Sequence, residues 1–173
     1  MTMIVRVSDW LNSIVRAAAG LSLVVMVVLL GIQVVARYLF SDPPAWTEEG
    51  ARYAMVWAGL LGATMAFRAG SDPVLLNLPA LQSGVAGIAA RLLRAAAVLL
   101  FLLPIWWYCI FGPNADPARG FVARSMARDT ESMGLSMAWF TMALPLSISI
   151  IGVHLLAQLA GQRNPLHHPE DPS

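Results

Sequence analysis

Lysine is missing from this chain: all 11 of its basic residues are arginine. They stand against 10 acids, for a net charge of +1, and charged residues make up only 12% of the sequence. A soluble domain carries about twice that share. Charge so sparse and so balanced excludes a basic nucleic-acid-binding domain and an acidic disordered tail. Cysteine is almost missing too. The single Cys109 can form neither an internal disulfide nor a cysteine metal site. Beside Trp107 and Tyr108 in a hydrophobic run, it reads as an inert buried thiol. No H-E-x-x-H, G-x-S-x-G or Walker loop occurs. The expectation is a protein that is not an enzyme and carries no metal or cofactor.

What remains is apolar. Hydrophobic residues are 58% of the 173, with a mean hydropathy of +0.66, and the length suits one unit rather than two. This composition predicts an all-α integral membrane protein. Charge-free gaps run over Ala17–Ala36, Tyr53–Phe67, Ala95–Ala115 and Ser132–Gln162. A helical crossing takes about 20 apolar residues. The second gap is shorter than that, so its crossing has to begin near Ala45 and leave Glu48, Glu49 and Arg52 close to the headgroups. The reading is a single four-span domain over residues 1–162, with spans at about 15–37, 45–68, 86–111 and 134–160. The first apolar core is longer than a signal-peptide core of about 7–15 residues, and no A-x-A site follows before Arg37, so an uncleaved span is expected. Short amphipathic interfacial helices are expected at about 3–13 and 74–83, and a disordered tail at 163–173.

Punctuation supports this parsing. Ser41-Asp42-Pro43-Pro44 ends one helix and starts the next, with Asp42 suited to cap and Pro43 to the first helical position. Gly70-Ser71-Asp72-Pro73 and Gly112-Pro113-Asn114 break the chain again. Trp46, Trp106, Trp107 and Trp139 suit an interfacial belt. Gly59, Gly62, Ala63 and Ala66, and later Gly84, Gly87 and Ala90, are spaced for close helix approach. With the amino terminus inside, the arginines divide six inside to five outside, a weak positive-inside bias.

A transporter that binds substrate and ions at the midplane needs polar or ionisable groups there. No Asp, Glu, Lys or Arg falls deep in any gap, which leaves Gln33, Thr64, Ser147, Ser149, His154 and Gln158. His154 is the one histidine in a span and reads as a helix–helix hydrogen bonder. A haem-bearing membrane anchor fails for want of a second axial histidine. His167 and His168 belong to the solvated tail.

The dense constellation joins the first two spans. Glu48 and Arg52 stand at i and i+4 with the acid first, the better order for a helical pair. Adjacent residues on a helix point about 100° apart, so Glu49 faces elsewhere. It is free to meet Arg37 on the preceding helix or an arginine of another chain. The plain alternative is a capped, solvated helix start.

The run R-Y-x-F, a short proline-containing turn, W-[ST]-E-E, A-R-Y, a tryptophan four residues on and G-A carries a resemblance. Here these are Arg37, Tyr38, Phe40, Trp46, Thr47, Glu48, Glu49, Ala51, Arg52, Tyr53, Trp57, Gly62 and Ala63. The pattern resembles the small membrane (DctQ-like) subunit of tripartite ATP-independent periplasmic (TRAP) transporters. Length, span count and a polar segment before the last span match as well. Gly70-Ser71-Asp72-Pro73-Val74 departs from the Gly-Glu-His-Ile-like stretch common in that family. The resemblance implies a small permease subunit in an ion-gradient-driven (symport) uptake system for organic acids such as carboxylates. It implies a large multi-span permease and a periplasmic substrate-binding protein as partners, with membrane lipid around the chain. It also implies a place in the bacterial inner membrane with both termini cytoplasmic, and a scaffold role without substrate binding. Arg37, Tyr38, Trp46, Glu48, Glu49, Arg52 and Trp57 are the interface or structural candidates. The competing reading is a stand-alone dimeric four-helix exporter, which would need Glu48 or Glu49 drawn into the membrane at a cost of several kcal/mol.

Overall fold

Long apolar runs satisfy their backbone polar groups by coiling into helix, and the chain does so almost throughout. In the computed structural model, which describes residues 3–70 and 84–160, α1 runs unbroken over Met3–Val35. With no proline in that stretch, nothing separates the segment expected to lie at the interface from the first span. The two are one helix. Its end widens into a π-helical turn, Ala36–Phe40, closed by Ser41 in the left-handed region (φ 56°). Helix α2 covers Ala45–Ala69 and ends at Gly70 (φ 66°), whose N–H reaches the carbonyls of Ala66 and Phe67. Then come α3 (Gly84–Ile110), α4 (Phe121–Met126), α5 (Ala138–Thr141) and α6 (Ala143–Leu159). The segments expected at 74–83 and 163–173 lie outside the described residues.

Among the described residues, three helical stretches are long and apolar enough to cross a membrane: Met3–Phe40, Gly87–Ile110 and Ala138–Leu159. Helix α2, at 25 residues, is long enough. Glu48, Glu49, Arg52 and Arg68 trim its charge-free interior, so it does not stand with the other three on composition. An all-α membrane fold is therefore established with three such helices.

Helices α1, α2 and α6 pack against one another, α1 most extensively on α2, and α3 packs on α6. The inward stripe of α1 explains its fit to α2. Val5, Ser8, Asn12, Val15, Ala19, Ser22, Met26, Leu29 and Gln33 are all buried or half-buried. They advance in alternating steps of three and four, the 3.5-residue repeat that keeps one seam facing a neighbour. From Ala17 to Val35 the exposed residues of α1 are all apolar, as a lipid-facing helix requires, while Arg6, Ser13 and Arg16 are exposed on its first half. The common core is Val15, Ala19, Leu61 and Ile150, with Trp57 and Met65 packed against it.

Polar contacts fix one end of the bundle. Ser8 Oγ and His154 Nδ1 meet at 2.8 Å in a fully buried position. Arg68 pairs with Asp9, and Gln158 Nε2 donates to the Phe67 carbonyl at 3.2 Å. The start of α1, the end of α2 and the end of α6 thus share this "near" end. At the other, "far" end, Gly50 sits where an added Cβ would lie 2.9 Å from Leu29 Cδ1, so α1 and α2 approach closely there. The expected close-approach positions Gly59 and Gly62 meet nothing within 4 Å. A small side chain permits contact without choosing which face is used.

Candidate functional site: the entrance of α2 and the far loop

The two prolines decide where α2 begins. A residue before proline is pushed out of the helical region, so Pro43 stays outside and Pro44 (φ −65°, ψ 128°) takes the cap position. This corrects the expectation that Asp42 caps and Pro43 opens the helix: no side-chain cap forms. Instead Thr47 gives both its N–H (3.2 Å) and its hydroxyl (2.6 Å) to the Pro44 carbonyl. Glu48 then pairs with Arg52 at 3.0 Å. Both side chains are more than half exposed, which limits such a pair to about 0.3–0.5 kcal/mol.

Glu49 points the other way and is only 9% exposed. Its Oε1 accepts from Tyr53 Oη (2.9 Å) and from the backbone N–H of Glu131 (3.0 Å). Its Oε2 accepts from the N–H of Ser132 (2.8 Å) and from the Ser132 hydroxyl. Four donors converge on two oxygens, an environment built for a carboxylate. Arg37, one of the two kinds of partner open to Glu49 by sequence, is not among them. The carboxylate is already filled by a loop more than 80 residues along the chain.

That loop is an ordered cap. Gly112 (φ 62°) and Gly120 pinch its base: a Cβ on Gly112 would lie 2.3 Å from the Arg119 oxygen, and one on Gly120 2.2 Å from the Ile110 oxygen. Further on, Asp129 and Ser136 form a single antiparallel bridge. Met137 N–H donates to the Arg128 carbonyl (2.9 Å) and Thr130 N–H to the Leu135 carbonyl (2.8 Å). Glu49 seizes the tip of this hairpin at residues 131–132. Tyr53 completes the joint by stacking on Phe140 of α5, ring centroids 3.6 Å apart and planes 8° from parallel. One helix turn, Glu49 to Tyr53, therefore clamps both ends of the 131–140 segment.

The remaining candidates divide into two groups. Trp57 is half-buried and packs on the core, so it serves the fold. Arg37, in the π turn, is exposed and makes no hydrogen bond or ion pair among the described residues. Tyr38, Leu39 and Phe40 beside it are 81%, 73% and 74% exposed. A π turn carries one residue too many for regular packing and is often found at functional sites. Here it presents three large exposed side chains and a guanidinium with no partner among the described residues; Trp46, at the start of α2, is 43% exposed. Trp107 and Trp139 are exposed as belt residues would be, whereas Trp106 turns inward and donates Nε1–H to Ser149 Oγ at 2.9 Å.

Sequence reasoning did not single out Tyr53, Glu131, Ser132 or Phe140 as one unit. The Glu49–Tyr53 spacing of i, i+4 was the one available signal. Backbone donors on a loop carry no residue-type signature. The Ser8–His154 and Asp9–Arg68 contacts were hidden for the same reason, since they join distant segments.

No curated protein matches the chain closely enough to serve as a relative. The family model described as "Tripartite ATP-independent periplasmic transporters, DctQ component" matches residues 26–164. That span holds the π turn, the entrance of α2, the far loop and α6. It covers most of the chain, and the protein belongs to the DctQ component family of tripartite ATP-independent periplasmic transporters.

Proposed function

We propose that this chain is the scaffold of a TRAP-type uptake system for organic acids of the carboxylate class. In this reading it braces a large multi-span permease that carries substrate and coupling ions, and it binds neither itself. Helix α2 is the fourth span, packed against both α1 and α6, with Glu48, Glu49 and Arg52 at the headgroup level. The near end, where α1 starts and α6 finishes, faces the cytoplasm of a bacterial inner membrane. The far loop then faces the periplasm, within reach of a substrate-binding protein.

The observation that carries the scaffold reading is where the ionisable groups lie in a family of transporter components. The stretches Ala17–Ala36, Tyr53–Phe67, Ala95–Ile110 and Ser132–Leu159 hold no Asp, Glu, Lys or Arg. Midplane substrate and ion sites are built from such groups or from broken helices around them. Of the two acids a stand-alone exporter could draw on, Glu49 is committed to four donors and Glu48 is exposed and paired with Arg52. The exposed π turn, with Arg37 and Tyr38, is the contact offered to the large permease.

The test is reconstitution of carboxylate uptake in proteoliposomes with the large permease, the binding protein and an ion gradient. Uptake should fail when this chain is left out. Variants of it that still assemble should change the rate but not the order of substrate preference. A changed preference with intact assembly would refute the scaffold role.

A further inference from the structure

Helix α3 leans on α6 and leaves an apolar groove of about 220 Å³ along their seam. Val98, Leu102 and Trp106 form one wall, and Ile148, Gly152 and Leu155 the other. The hydrogen bond from Trp106 to Ser149 crosses the seam at the far side of the groove. From Val98 to Trp106 the slot runs about 12 Å along the helix. Toward the near end, the positions four and seven residues before Val98 continue its face of the helix. Those positions are Arg94 and Arg91.

Both arginines are exposed. Arg91 donates only Nε–H, to the Gly87 carbonyl at 3.3 Å. Arg94 has no hydrogen-bond or ion-pair partner among the described residues. An apolar slot therefore leads to two guanidinium groups that pair with no acid among the described residues. A helix of another protein would fill the slot but would not answer the two charges. A phospholipid answers both, with a chain in the apolar part and a phosphate on the arginines.

We propose that the α3–α6 groove holds one acyl chain of an anionic phospholipid, whose phosphate sits on Arg91 and Arg94. This site is separate from the π turn and the Glu49 clamp, and it bears on how α3 is held. Helix α3 packs on α6 while α1 and α2 pack on each other, so a seated lipid completes the support of its open side.

The test uses the full-length chain in mixed micelles containing phosphatidylglycerol or phosphatidylcholine with brominated chains, which quench nearby tryptophan. A Trp106→Phe variant isolates the Trp106 signal. Phosphatidylglycerol should quench that signal at a roughly tenfold lower mole fraction than phosphatidylcholine. The double variant Arg91→Gln/Arg94→Gln should lose the preference while keeping helical content by circular dichroism. Gly152→Leu places a side chain where an added Cβ meets nothing within 4 Å, so it should fill the slot, leave the fold intact and abolish the quenching. Equal quenching by the two lipids would overturn the proposal, as would a preference that survives the double variant or quenching that survives Gly152→Leu. Quenching should also persist in the chain purified with its membrane partner. Its loss there would assign the groove to that partner's helix and overturn the lipid site.

Discussion

Replacing Glu49 by glutamine keeps the shape of the side chain and removes one acceptor oxygen, which isolates what the carboxylate does. In the native joint, Oε1 serves Tyr53 and the Glu131 N–H, and Oε2 serves Ser132 twice. An amide NH2 must replace one of these oxygens. If it faces Tyr53, the phenol can rotate and accept, but the Glu131 N–H meets a second donor. If it faces Ser132, the hydroxyl can adapt while the Ser132 N–H cannot. Either way one backbone donor is orphaned, which shifts the opening of the loop by about 10- to 100-fold. Amide hydrogen exchange of the full-length chain in nanodiscs reads this directly. Peptides covering 128–137 should exchange about 10- to 100-fold faster in Glu49→Gln, while peptides from the middle of α1 stay unchanged. Tyr53→Phe, which keeps the stack on Phe140 and loses one donor, should have the smaller effect. Exchange in 128–137 within twofold of wild type would refute the clamp.

Further outcomes follow from the same contacts. Arg37→Ala should lower the yield of co-purified permease and the uptake rate together, with substrate preference unchanged in a competition assay. Gly112→Ala should cost about 2 kcal/mol or more, because its φ and the Arg119 carbonyl both oppose a Cβ. A thermal melt followed by size exclusion would detect it. Ser8→Ala should lower stability by about 1–3 kcal/mol, because it takes the Ser8 partner from the buried His154 Nδ1. His154→Ala should leave transport nearly intact, and complete loss of uptake with normal assembly would reveal a functional role for this histidine.

The parts of the molecule legible in the sequence are those fixed by local rules. Charge-free gaps located the long helices because a bilayer tolerates few ionised groups. The Glu48–Arg52 pair followed from helical spacing, and the end of α2 at Gly70 from the Gly70-Ser71-Asp72-Pro73 break. What a neighbouring residue overrides was harder to read. Asp42 is a good capping residue, yet Pro44 moves the helix start beyond its reach. Trp106 has the composition of a belt residue, yet Ser149 draws it inside. What lies far along the chain left no trace at all. Glu49 looked available for Arg37 because nothing in residues 131 and 132 announces that their backbone N–H groups are aimed at a carboxylate. The 3–13 segment runs into the first span as one helix, because amphipathic character changes there while helix propensity does not.

A chain that works as a component braced against a larger membrane partner should come out of the membrane with that partner. The tagged full-length chain would be drawn from native membranes in mild detergent and the captured proteins quantified by mass spectrometry. A polytopic permease recovered in near-equal amount, and reduced by Arg37→Ala, is the predicted result. A chain recovered alone as a homodimer, with Arg37→Ala without effect, would contradict the account.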